Sequence, residues 1–433
     1  MNIQWTDCER FHRRDFLKVG VAAPLGLGLA DLLRLEAQAA GKAKRKATGV
    51  ILLWLAGGPS TIDIWDLKPD APDNIRGEFK PAATTATGVR VCEHLPKLAK
   101  LMDRVTLVRS LHHGLPVHGP GTVYMTTGNL PSATLTYPSL GALAARTLPG
   151  VPGVPANVNF RSSGVPGSPG YLGSAYGPFE VEGDPGRGSL RIEGVALPDG
   201  FTVSDLSDRA GLRSHFDARF KALDQGDIAA SLDRFHQEAL DILRSDRTRK
   251  AFDINQEKAL LRDRYGRRPF GQSVLAARRL IEAGVRFVTV GLGGWDTHAG
   301  NFNALRFQLL PQLDQALSAL VEDLDGRGLL DRTVVYCVGE FGRTPLINGA
   351  AGRDHWPRSM AALLAGGGIK RGFVHGSTDR DGMAPASDPC SPDDVAATVF
   401  ECLGVGPQHE VRATSGRPMA LFREGKILGK VLA

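Results

Sequence analysis

Five short runs of the sequence are apolar almost throughout: VILLWLA at 50–56, VTLV at 105–108, VRFVTVG at 285–291, TVVYCVG at 333–339 and MAALLAGG at 360–367. A strand with one wet face alternates polar and apolar residues with period two. A short run without that alternation has both faces covered. Helical spacing occupies several of the intervening stretches, at 138–148, 272–283, 303–326 and 393–403. Strands alternating with helices predict an α/β fold, a mainly parallel β-sheet sandwiched by helices. With 433 residues, 42% of them hydrophobic, the chain has ample material for one large core of this kind.

Two stretches interrupt the alternation. Residues 149–200 are rich in Gly, Pro and Ser and read as an extended loop or cap. Residues 211–268 are charged and helical, with apolar residues at Leu232, Phe235, Ala239, Ile242 and Leu243. They read as a helical insertion serving as scaffold or lid. No fixed-period repeat is visible.

The first 40 residues have the form of an export signal. Arg13 and Arg14 precede Phe16 and Leu17, a moderately apolar stretch follows, and small residues at Ala37, Ala39 and Ala40 offer a cleavage point. This resembles a twin-arginine signal, which implies the twin-arginine export machinery as a partner and a periplasmic or other extracytoplasmic location. Asp31 and Arg34 interrupt the apolar stretch, so it is too broken for a stable membrane span. Residues 41–433 would then form a single domain, opening on a short basic segment at 41–46. Cys8 leaves with the signal. Cys92, Cys337, Cys390 and Cys402 match no zinc-site spacing, and a Cys390–Cys402 disulfide is open to the chain in an oxidising compartment. The net charge of +6 is a mild bias, compatible with a small anionic substrate. No basic run is interleaved with aromatics, which argues against nucleic acid.

In an open α/β sheet, ligands bind beyond the carboxyl ends of the strands. The first run is followed by Ser60, Asp63 and Asp66, and the second by Arg109, His112, His113 and His118. Asp296 and His298 follow the third, Glu340 and Arg343 the fourth, and Asp354, His355 and Arg358 come next. Five of the 11 histidines therefore lie just past a strand or in the loop that holds Asp354. His12, His94, His215, His236, His375 and His409 fall in tails, loops and the insertion. Imidazole and carboxylate together suit zinc, manganese or iron, whereas oxygen-only sites suit magnesium or calcium. A divalent ion here would polarise a phosphoryl or sulfuryl oxygen and acidify a water. Arg343 and Arg358 would grip the same anion in a bidentate fork.

The stretch from RTRKAFDINQEKALLRDRYGRRPFGQSVLAARRL to GLGGWDTHAGN, followed by VVYCVGEFGRTP and GRDHWP, resembles the family called domain of unknown function 1501. That family is similar to the alkaline phosphatase and sulfatase superfamily, which implies metal ligands in loops after the strands of a parallel sheet. WDTHAG is similar to an Asp-His metal loop and implies ligand roles for Asp296 and His298. Asp354-His355 resembles a late histidine ligand, and Glu340 stands where a further ligand is expected. Two departures stand out. Gly57 and Gly58 occupy the position of a metal-binding aspartate pair, for which Asp63 is the nearest substitute. His118 occupies the nucleophile position, which excludes a formylglycine sulfatase there. His118 either binds metal or attacks as an imidazole.

The resulting expectation is a metal-dependent hydrolase of a phosphate or sulfate ester, with His118 as catalytic residue. Asp63, Asp296, His298, Glu340 and His355 are the expected ligands of zinc, manganese, iron or calcium, and Arg343 and Arg358 bind substrate. The alternative is an exported protein that keeps the pocket and binds an oxyanion or a partner without turnover. The oligomeric state is not legible.

Overall fold

The computed structural model describes residues 47–160, 164–165, 167–187, 191–192 and 245–433. The export signal, residues 193–210 and residues 211–244 of the helical insertion lie outside the described residues. Lys46–Ala433 form one compact unit.

Nine strands make the main sheet: β1 (Gly49–Leu55), β2 (Val105–Leu111), β3 (Asn157–Phe160), β4 (Phe179–Glu182), β5 (Arg191–Ile192), β6 (Phe287–Leu292), β7 (Thr333–Val338), β8 (Met360–Ala365) and β9 (Phe373–His375). Their order across the sheet is β9-β2-β8-β7-β1-β6-β3-β4-β5. β1 lies at the centre, parallel to both β6 and β7. β8 runs antiparallel to β7 and β2, and β5 antiparallel to β4; the remaining pairs are parallel. The expected mainly parallel sheet is therefore present, with one reversed strand inside it.

Every residue of β1 is buried, and its side chains alternate between two cores. Ile51, Leu53 and Leu55 pack with Val274 and Leu280 of helix α3 and Leu313 and Leu317 of helix α4. Val50, Leu52 and Trp54 pack on the other face with Leu140 and Leu143 of helix α2 and with Val395 and Phe400 of helix α5. These helices span Leu140–Thr147 (α2), Pro269–Ala283 (α3), Leu310–Gly326 (α4) and Pro392–Cys402 (α5); α1 is His118–Thr127. Covering both faces is what demands an uninterrupted apolar strand. Helix limits follow local chemistry. Pro269 opens α3 and Gly284 closes it at φ 109°, while Ser391 and Asp394 form a capping box at the start of α5.

Two expectations change. Residues 149–200 contribute three strands, β3 to β5, to the sheet rather than only loop. Cys390 and Cys402 are both buried and are not bonded to each other. Burial pushes the Cys390 thiol up to about 12, and Ser110 Oγ lies 3.8 Å from its sulfur. No helix among the described residues is long and apolar enough to cross a membrane.

The strand directions decide where the site can form. β1, β2, β6 and β7 point the same way, so the loops leaving them gather at one edge of the sheet. β8 runs backwards, so the residues entering it reach that same edge. His355, five residues before β8, thereby joins side chains that follow the other strands.

Candidate metal centre

Three histidines and one aspartate meet at this edge. Asp296 leaves β6, His118 starts α1 after β2, His298 lies two residues past Asp296, and His355 precedes β8. The Nε2 atoms of His298 and His355 lie 3.2 and 3.1 Å from Asp296 Oδ1, and His118 Nε2 lies 3.3 Å from Asp296 Oδ2. The His298 and His355 Nε2 atoms are 3.0 Å apart. His118, Asp296 and His355 each offer a ligand atom within 4.8 Å of the others.

The far side of each ring fixes its tautomer. His118 Nδ1 donates to Glu340 Oε1 at 2.7 Å, His298 Nδ1 to Asp354 Oδ1 at 2.6 Å, and His355 Nδ1 to the Pro116 carbonyl at 2.8 Å. A carboxylate or carbonyl oxygen only accepts, so Nδ1 carries the proton in all three rings. Each ring then turns Nε2 toward a carboxylate, and those of His298 and His355 also face each other. A shared proton or a cation between them accounts for such distances. Metal-binding histidines are held in just this manner, by an outer acceptor on the other nitrogen. Ligand atoms around one zinc-sized ion sit about 3.3 Å from each other, close to the separations here.

Charge points the same way. Asp296 pairs with the Arg343 guanidinium, which Glu340 and Asp354 also influence by charge, while Glu340 and Asp354 bond His118 and His298. Burial raises the Asp296 carboxyl, but hydrogen bonds from Arg343 and His355 and the charges of Arg343 and His118 outweigh it and hold the group at about 2. Asp296 is thus an anion at any ordinary pH. Glu340 is buried; its Oε1 accepts from His118 and from the Gly57 N–H at 2.9 Å, while its Oε2 has no hydrogen-bond partner among the described residues. A half-satisfied buried carboxylate is costly unless positive charge is close. The residues therefore fit a divalent cation.

The loops are laced together by contacts that exclude alternatives. Gly57 and Gly58 have φ of 115° and 81°. A Cβ on Gly57 would stand 2.3 Å from the Asp296 nitrogen, and one on Gly58 would stand 2.5 Å from the Phe341 ring. No aspartate fits at either position, which is the physical reason for the missing pair. Gly57→Ala is expected to destabilise the protein by about 1–3 kcal/mol from its backbone conformation alone, with the clash adding to that. Chemical denaturation checks it, and a loss under about 0.5 kcal/mol contradicts it. Phe341 fills the space instead, its ring 4.9 Å from that of His118 and 4.3 Å from that of His355.

Several sequence expectations are corrected here. Asp63 is not in the cluster. Its two oxygens take a bidentate contact from Arg353, with Nε at 2.7 Å and Nη2 at 2.8 Å, plus Ser60 Oγ at 2.6 Å and Asn301 Nδ2 at 2.8 Å. Four donors of this chain occupy it, and its pair with Arg353 is fully buried. Arg343 is not available to a substrate. It is buried, and its donors go to the carbonyls of Gly57, Gly58 and Arg353 and to Asp296 Oδ1. Arg358 is exposed, its guanidinium 5.9 Å over the Trp356 ring. Glu340 meets the cluster through His118. His113 is committed as well, donating to the Glu340 carbonyl at 2.7 Å and accepting from the Leu115 N–H at 3.0 Å. Arg353, Asn301 and the Asp354 contact to His298 had no distinguishing signal in the sequence. Their partners are 290, 238 and 56 residues away.

Residues 47–432 match the model of a family described as "Protein of unknown function (DUF1501)". No curated protein matches. Similar solved structures include the PsFucS1 sulfatase from Pseudoalteromonas sp., at 13% identity and a TM-score of 0.38 over 84% of this chain and 69% of that one. The phosphonate monoester hydrolase SpPMH from Silicibacter pomeroyi is 12% identical, with a TM-score of 0.36 over 89% of this chain and 76% of that one. A TAB5 alkaline phosphatase mutant with bound Mg is 11% identical, with a TM-score of 0.36 over 84% of this chain and 99% of that one.

Proposed function

This chain belongs to the DUF1501 family, and from that premise we propose that it is a metal-dependent hydrolase of a phosphate or sulfate ester. In this reading His118, Asp296, His298 and His355 hold one divalent ion. The observation that carries it is the common orientation of the three rings, each with Nδ1 tied to an oxygen and Nε2 turned toward Asp296. Three imidazoles favour zinc, manganese or iron over calcium, which prefers oxygen.

An ion held by these residues would polarise an ester oxygen and acidify a water. The chain's own residues supply the rest. Arg343 holds Asp296 in place, Glu340 and Asp354 fix the tautomers of His118 and His298, and Phe341 packs against two of the rings. His118 serves as a ligand in this account rather than as an attacking group, since its Nε2 is turned to Asp296. No serine, threonine or cysteine stands at that position, and with His118 as a ligand a water would attack in this reading.

Two measurements test the reading together. Elemental analysis of native protein prepared without chelator should give about one divalent ion per chain, and that protein should hydrolyse phosphate or sulfate esters. Metal without turnover across a broad ester panel would favour a protein that binds an oxyanion or partner. Absence of metal would end the proposal.

We also propose that the protein is exported by the twin-arginine route to the periplasm and that residues 41–433 act as one domain. Sequence alone supports this: Arg13-Arg14, the apolar stretch after them and the small residues at 37–40. Replacing both arginines with lysine should leave the full-length chain in the cytoplasmic fraction. Recovery of processed protein from the periplasm would contradict the assignment.

A further inference from the structure

We infer that Asn301 is a positioning residue of the metal centre, fixing the loop that carries Asp296 and His298 against the loop that carries His355. The inference rests on the metal reading of the cluster and goes beyond it to what sets the ligand spacing. His355 follows His298 by 57 residues, so local chain geometry cannot hold one against the other. Thr297 lies between the ligands Asp296 and His298, and its hydroxyl donates to Asn301 Oδ1 at 2.6 Å. Asn301 Nδ2 donates in turn to Asp63 Oδ2 at 2.8 Å. Asp63 also takes Nε and Nη2 of Arg353, two residues before His355. The Arg353 backbone N–H closes the circuit on the Thr297 carbonyl at 3.1 Å. All four side chains are buried. A carboxylate only accepts, so the Asn301 amide has one orientation, with Nδ2 on Asp63 and Oδ1 on Thr297.

The backbone joins the same two loops. The N–H groups of Gly300 and Asn301 donate to the carbonyls of Ala350 and Ala351 at 3.0 and 2.9 Å. Asn348 Nδ2 donates to the His298 carbonyl at 2.9 Å, and a Cβ on Gly352 would collide with that carbonyl. Ala351 has φ of 52°, a left-handed conformation uncommon for a residue with a Cβ. Such conformations persist where the surroundings over-determine them, and they cluster at functional sites. Ligands placed in advance need not be gathered by the ion, and a centre whose support is loosened binds less well. Asn301 is the one side chain that bonds both Thr297, between two ligands, and the Asp63–Arg353 pair that leads to the third.

The test titrates full-length metal-free protein with zinc and with cobalt(II) in competition with a chelating dye. The visible spectrum of bound cobalt(II) records the ligand geometry. Asn301→Leu removes both hydrogen bonds and keeps the branched shape of the side chain, and the Thr297 hydroxyl has the Trp295 carbonyl at 3.4 Å as another acceptor. Ser60→Ala is the control. It also removes a donor from Asp63 Oδ2, at 2.6 Å, but breaks no bond to Thr297 or Arg353. Asn301→Leu should weaken metal binding about 10-fold or more, as for other groups that orient a ligand, and should shift the cobalt spectrum. Ser60→Ala should keep the native affinity and spectrum. Thr297→Val opens the same link from its other end, should shift the spectrum with a smaller loss of affinity, and carries the test if Asn301→Leu does not fold. Native affinity and spectrum in these two variants overturn the inference and leave the metal centre standing. Equal losses in Asn301→Leu and Ser60→Ala overturn it too, because the effect is then a general loosening around Asp63. Failure of the unaltered protein to bind either ion overturns the metal reading itself and the inference with it.

Discussion

Asp296→Ala is expected to lose the bound ion and, with it, all ester hydrolysis. Asp296 is the one group within 3.3 Å of all three histidine Nε2 atoms, and Arg343 fixes its orientation. Removing it leaves three imidazoles with no anion to balance a divalent charge, and Arg343 loses its carboxylate. Outer groups that merely orient a ligand are worth about 10–100-fold in metal affinity, so a ligand shared by the whole cluster should exceed that range. Glu340→Gln supplies the comparison. Glutamine can still accept from His118 through its carbonyl, and the loss should fall within the 10–100-fold range. Competition with a chelating dye measures both. An Asp296→Ala protein that binds metal as well as the native chain would contradict the ligand assignment.

The second large effect is on stability, and it follows from the corrected role of Asp63. Arg353→Met should destabilise the fold by about 3–5 kcal/mol, because breaking a buried ion pair strands the surviving charge. Both side chains are fully buried. The guanidinium also donates to the carbonyls of Thr344, Pro345 and Ile75. It therefore ties the helix that carries Asp63 to the loop between β7 and β8. Denaturant titration reads the loss, and Asp63→Asn should cost a similar amount, because it strands the Arg353 charge and turns an amide donor toward groups that themselves donate. A loss below about 1 kcal/mol for Arg353→Met would place the pair among those that contribute little.

The fold was legible where burial leaves a mark on composition. β1, β6, β7 and β8 are covered on both faces, so their sequences are nearly free of polar residues, and the helices over them show helical spacing. β3 was not legible. Asn157-Val158-Asn159-Phe160 alternates, is four residues long and sits among glycines and prolines, yet all four residues are buried. The gathering of His118, Asp296, His298 and His355 was legible because parallel strands deliver their trailing loops to one edge. The reversal of β8 was not read, although it is what brings His355 there. The buried partnerships of Asp63 and Arg343 were not legible for a shared reason. A charged residue after a strand looks the same in sequence whether it faces a pocket or a partner 290 residues away. Gly57 and Gly58 were visible as a departure, but the reason was not. The space is taken by the Asp296 backbone and the Phe341 ring.

The most direct test is an anomalous-difference map from crystals of native protein, collected on both sides of the absorption edge of the metal found by elemental analysis. The account predicts one peak bonded to Asp296 and to the Nε2 atoms of His118, His298 and His355, with Glu340 and Asp354 outside bonding distance. A metal ligated through Asp63, or no anomalous peak between these three rings, would contradict it.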